Sequence, residues 1–145
     1  MTNKQTLKDN IWFFAWAISV IALFGSLYFS EVLQYEPCEL CWYQRILMYP
    51  LTVIIGIAFV KKDYHLSIYS AVLSGIGMFI SLYHYSIQKI SFFNKNAPSC
   101  GVVPCTGEYI NWAGFITIPF LALVAFFLIF LSSIFVYQLS RRDMT

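Results

Sequence analysis

The chain has 145 residues, of which 59% are hydrophobic, 19% aromatic and only 11% charged, with a formal net charge of +2. Soluble domains carry roughly 25% charged residues, so this is the composition of a membrane protein. The small positive balance is scattered over the flanks of apolar stretches and gives no basis for nucleic-acid binding.

Residues 11–29 contain no charged side chain. At about 1.5 Å per residue such a helix crosses roughly 30 Å of hydrocarbon. A cleaved signal peptide is the competing reading. Its apolar region runs to only about 7–15 residues, and no small-x-small site follows at Leu27-Tyr28-Phe29-Ser30. A retained first helix is therefore expected.

Segment 30–37 is short and acidic (Glu31, Glu36) and ends in Pro37. Proline suits the first turn of a helix, where its missing N–H costs nothing. This places Cys38 and Cys41 in the opening turn of a second helix, spanning 42–60, and spacing i, i+3 sets both sulfurs on one face. Arg45 is the only charged residue of that span, and Pro50 is expected to kink it.

The third span, 66–87, is diluted by serines and carries His84 near its outer end. Ser70, Ser74, Gly77 and Ser81 recur at helical spacing, a small-residue stripe that lets another helix approach closely in lipid. A polar channel would need a charged partner, so the stripe reads as packing.

The connection from 88 to 111 is the longest. Its apolar start (Ile90, Phe92, Phe93) suits the membrane interface. It then turns irregular and carries Cys100 and Cys105. Loops beyond about 12–15 residues without their own secondary structure are usually functional or disordered, and two cysteines favour function. Residues 109–140 contain no charged side chain and exceed what one span needs, so the fourth span is set at 113–137. The expectation is one all-α domain over 1–145, a four-transmembrane-helix bundle with two extracytoplasmic cysteine-bearing loops.

Basic residues in the flanks set the orientation. One side carries the six residues Lys4, Lys8, Lys61, Lys62, Arg141 and Arg142, the other only the three residues Arg45, Lys89 and Lys95. Both termini are therefore expected in the cytoplasm. Both cysteine pairs then face outwards, where disulfides form and persist.

Three readings compete for the cysteines. As a structural staple, a bridge between Cys38 and Cys41 closes so small a loop that the chain-entropy gain is about 2 kcal/mol, against about 4 for a loop of some 60 residues. As a zinc site, Cys-x2-Cys is good spacing, but Cys-x4-Cys is less usual and an oxidising exterior consumes thiols. As a thiol–disulfide exchanger, a thiolate at a helix N-terminus near the cation Arg45 is favoured, with Glu36 and Glu39 opposing. Arg45 also fits a simple interface anchor.

The run Cys38-Glu-Leu-Cys41-Trp42-Tyr43-Gln44-Arg45, four spans and a second outward cysteine pair resemble the DsbB-type disulfide bond formation proteins. The short Cys100-x4-Cys105 spacing, with Pro104, Asn111-Trp112 and Gly114-Phe115, is similar to their Bacillus-type BdbC branch. In the better-known DsbB pattern the second pair is much more widely separated. The resemblance implies a multi-pass oxidoreductase of the bacterial cell membrane that reoxidises an extracytoplasmic thioredoxin-like dithiol oxidase. Electrons would pass to Cys100–Cys105, then to Cys38–Cys41, then to a membrane quinone. It further implies that Cys41 adjoins the quinone and that Arg45, with His84 as a second candidate, meets its oxygen. The non-enzymatic rival is a membrane scaffold clamped by a four-cysteine zinc site or by structural disulfides.

Overall fold

A computed structural model describes residues 3–90, 105, 110–111 and 113–144, with side chains described to residue 142. The expected interfacial patch at Phe92 and Phe93, and Cys100, lie outside the described residues.

Four helices long and apolar enough to cross a membrane make up almost all of the described chain. Helix α1 (Asn3–Leu27) continues through a widened π turn, Tyr28–Val32, so the first membrane segment runs on to Val32. The chain leaves it at Gln34, which has a left-handed φ of 55°. Helix α2 (Glu39–Lys61) begins after extended Cys38, whose carbonyl accepts from the Trp42 N–H at 3.1 Å. Cys38 is thus the N-cap of α2 rather than part of its first turn. Helix α2 runs through Pro50 and ends at left-handed Lys62, whose N–H donates to the Ala58 carbonyl. A single 3₁₀ turn, Tyr64–Leu66, leads into α3 (Ser67–Lys89). Helix α4 (Ile118–Met144) starts later than position 113, because Ala113 (φ 55°) and Gly114 (φ 80°) are left-handed and interrupt any helix there.

The closest packing is that of α3 on α4. Ser70, Ser74 and Ser81 are fully buried, and Ser74 returns its hydroxyl to the Ser70 carbonyl at 2.6 Å, satisfying it without a partner helix. Gly77 lies directly against the ring of Phe126, where no Cβ has room. Trp12, Leu51, Ile55, Phe126 and Ile129 fill the centre of the bundle. Outward faces carry Ile21, Phe24, Val60 and Phe79, each more than 60% exposed, as apolar side chains are when lipid is the solvent.

The two ends of the bundle differ. At one, Asp9 accepts from Lys62 Nζ at 2.8 Å and from the Tyr64 hydroxyl at 2.5 Å, and Lys8 Nζ stands 4.7 Å from the Tyr64 ring centre. These contacts tie α1 to the α2–α3 turn. The cysteines gather at the other.

Candidate functional site

At the cysteine end, Pro37 precedes the N-cap Cys38, which is buried. The Cys38 thiol donates to Cys41 Sγ at 3.4 Å, as i, i+3 spacing at a helix start allows. The last turns of α3 bring in His84, whose Nε2 is 3.6 Å from Cys38 Sγ. Cys105, reached from the long outer connection, completes the group. Ligand atoms of Cys38, His84 and Cys105 all lie within 4.8 Å of one another. All three residues are buried, at 6%, 1% and 3% exposure.

The two sulfurs of the helical pair have different surroundings. The Cys38 thiol is pushed up from an ordinary 9.0 to about 11, chiefly because it is held as donor to Cys41 and further because it is buried, with the contact to His84 opposing. Cys38 is therefore protonated at neutral pH. Cys41, its acceptor, opens on its other side onto a cavity.

That cavity, ≈530 Å³, lies between α1, α2 and α4. Its wall is mostly apolar, with Ile18, Phe29, Met48 and Leu121 among the lining residues, and its polar positions include Cys41, Gln44 and Arg45. The volume is within the roughly 300–1,000 Å³ of small-molecule sites. Arg45 Nη2 donates to the Ser26 carbonyl of α1 at 2.9 Å, and its guanidinium carbon is 5.7 Å from the Trp42 ring centre. One N–H of the fork thus fixes the guanidinium at the cavity wall, and the group has five to offer.

Of the residues singled out by sequence, Cys38, Cys41 and Cys105 converge, and Arg45 stands on the cavity wall beside Cys41. His84 reaches Cys38 and Gln44 instead of the wall. Gln44 belongs to the motif, but the sequence alone assigns it no role. Its amide is 3.2 Å from His84 Nδ1, and it also lines the cavity, so it links the thiol cluster to the apolar chamber. The available signal was its polarity: an amide one turn beyond Cys41, inside a membrane helix, needs a partner.

A four-helix membrane bundle that brings three cysteines together beside an apolar chamber defines a membrane protein built for thiol–disulfide chemistry. The sequence profile described as "Disulfide bond formation protein DsbB" matches residues 8–136, and the chain belongs to that family. It is 60% identical over 136 residues to "Probable disulfide formation protein C 1" of Bacillus cereus, covering 94% of this chain and 98% of that one. It is 56% identical over 130 residues to "Probable disulfide formation protein C" of Halalkalibacterium halodurans, covering 90% and 95%. With "Disulfide bond formation protein C" of Bacillus subtilis it shares 54% identity over 125 residues, covering 85% and 91%. No solved structure gives a significant match. The protein is a multi-pass membrane member of a disulfide-forming oxidoreductase family.

Proposed function

We propose that the protein removes electron pairs from a thioredoxin-like dithiol oxidase outside the bacterial cell membrane and delivers them to a membrane quinone. The observation that carries this reading is the convergence of the groups. Cys38 has Cys105 within 4.8 Å and Cys41 at 3.4 Å, and Cys41 faces the cavity.

Each transfer within the chain is a thiolate displacement at a disulfide, so one S–S bond breaks as another forms. The partner's dithiol first reduces Cys100–Cys105, Cys100 taking up the mixed disulfide and Cys105 being released. Cys105 then attacks Cys38, freeing Cys41 towards the cavity. The partner's second thiol closes its own disulfide and releases Cys100, which displaces Cys38 from Cys105. The loop disulfide thus re-forms, and Cys38 and Cys41 are left as the dithiol. The His84 ring against Cys38 supports a role in moving that sulfur's proton as it changes partner.

The donor set fits a quinone: apolar walls for the ring and tail, and Arg45 with Gln44 for a carbonyl oxygen. When bound there, a quinone supplies the acceptor for the two electrons and two protons of the Cys38–Cys41 dithiol. Arg45 holds negative charge at the wall, and the apolar lining excludes water and strengthens that interaction. The excess of basic residues at the opposite end supports cytoplasmic termini and an external cysteine end, where the partner would work.

The test uses purified protein, a reduced Cys-x-x-Cys thioredoxin-fold protein and a short-chain quinone. Stoichiometric loss of partner thiols and of quinone absorbance is expected. Oxidation of the partner that proceeds equally well without quinone would remove the electron acceptor from this reading.

A further inference from the structure

The relay uses Cys38, Cys105 and His84 one pair at a time, yet all three present donor atoms to one small buried volume. We propose that the reduced protein binds one zinc ion through Cys38 Sγ, Cys105 Sγ and His84 Nε2, and that this arrests sulfur exchange.

One edge of the set already has the length that a tetrahedral zinc site requires. Zinc bonds of about 2.3 Å to sulfur and about 2.0–2.1 Å to imidazole nitrogen set ligand–ligand edges of roughly 3.6 Å for S–N and 3.8 Å for S–S. Cys38 Sγ and His84 Nε2 are 3.6 Å apart, and the whole set falls within 4.8 Å. Two thiolates and one neutral imidazole neutralise the ion, and all three ligands are buried. The fourth position is left to a water molecule or to Cys41, 3.4 Å from Cys38.

Gln44 supplies the support such a histidine needs. As placed, Gln44 Nε2 is 3.2 Å from His84 Nδ1. Zinc on His84 Nε2 requires the amide to turn over, so that its oxygen accepts from Nδ1–H and the Nε2 lone pair of His84 faces the sulfurs. This ligand set differs from a four-thiolate clamp, since His84 enters and Cys100 is not needed.

Binding exchanges two thiol protons for one Zn²⁺ and involves no electron transfer. It requires Cys38 and Cys105 to be thiols together, so a disulfide from Cys38 to either Cys41 or Cys105 abolishes the site. Zinc therefore competes with reoxidation and holds the protein reduced. The ligand set stands whether or not a quinone is the acceptor; only the inhibitory consequence rests on the proposed relay.

The test is a Co²⁺ titration of reduced, detergent-solubilised protein without oxygen, followed by Zn²⁺ displacement. One equivalent with thiolate-to-cobalt charge transfer and tetrahedral visible bands is expected, and oxidised protein should show neither. His84→Ala and Cys105→Ser should lose the bands, His84→Cys should restore a sulfur-richer spectrum, and Cys100→Ser should keep them. Gln44→Leu should weaken binding about 10–100-fold. Persistence of the spectrum in His84→Ala, its loss in Cys100→Ser, or its absence from reduced wild-type protein would overturn the assignment.

Discussion

The sulfurs of Cys38 and Cys105 lie within 4.8 Å of each other, although one caps a membrane helix and the other belongs to the long outer connection. Cys38 also has Cys41 at 3.4 Å, so a single sulfur stands within reach of two alternative partners. That relationship predicts a specific cross-link. In a Cys41→Ser/Cys100→Ser double variant, mild oxidation should join Cys38 to Cys105 within one molecule. Peptide mass spectrometry under non-reducing conditions reads the bond directly. If only intermolecular dimers or free thiols are recovered, the two pairs do not exchange through Cys38.

Arg45 is held at the cavity wall by the Ser26 carbonyl, 2.9 Å from Nη2. A hydrogen bond involving a charged group is worth about 1.5–3 kcal/mol, or roughly 10- to 150-fold. Arg45→Ala should therefore lower kcat/KM for quinone by about that factor. Arg45→Lys should recover only part of it, because an ammonium lacks the planar fork. The substitution also removes a tie between α1 and α2, so the melting temperature is measured alongside. An unchanged quinone dependence with a lowered melting temperature would make Arg45 an anchor.

Orientation can be read by labelling. In a cysteine-free background, single cysteines at Glu31 and Lys62 lie at opposite ends of the bundle. An impermeant maleimide should label position 31 in intact cells and position 62 only after lysis. The reverse order would put the cysteine cluster inside the cell and defeat exchange with an external partner.

Much of this architecture is legible in the chain because lipid imposes it. Charge-poor stretches must become helices, and Pro37 before Cys38 marks where α2 begins. The late start of α4 was hidden, since the residues around Ala113 and Gly114 are as uncharged as those of the helix. Two left-handed residues, not a change in polarity, make that boundary. The site divides in the same way. Cys41 and Arg45 share one face of one helix, so spacing alone associates them. The approach of Cys105 and His84 to Cys38, and the link of Gln44 to His84, join residues far apart in the chain, and no local spacing encodes that.

Gly77 bears on both the fold and the chamber. It sits on α3 against Phe126 of α4, fully buried, with no room for a Cβ before the ring. Phe126 also lines the cavity beside Cys41 and Arg45, and α3 carries His84 two turns beyond Gly77. A methyl group at position 77 must therefore push the ring aside or separate the helices. Overpacking of this kind costs about 1–3 kcal/mol. Gly77→Ala should lower the thermal midpoint in detergent and raise the KM for quinone, because the displaced ring narrows the chamber. Adding Phe126→Leu should recover stability in a non-additive way, since the two side chains meet directly. Additive losses in the double variant would show that Gly77 and Phe126 do not share this contact, and that the spacing of α3 from α4 is set elsewhere.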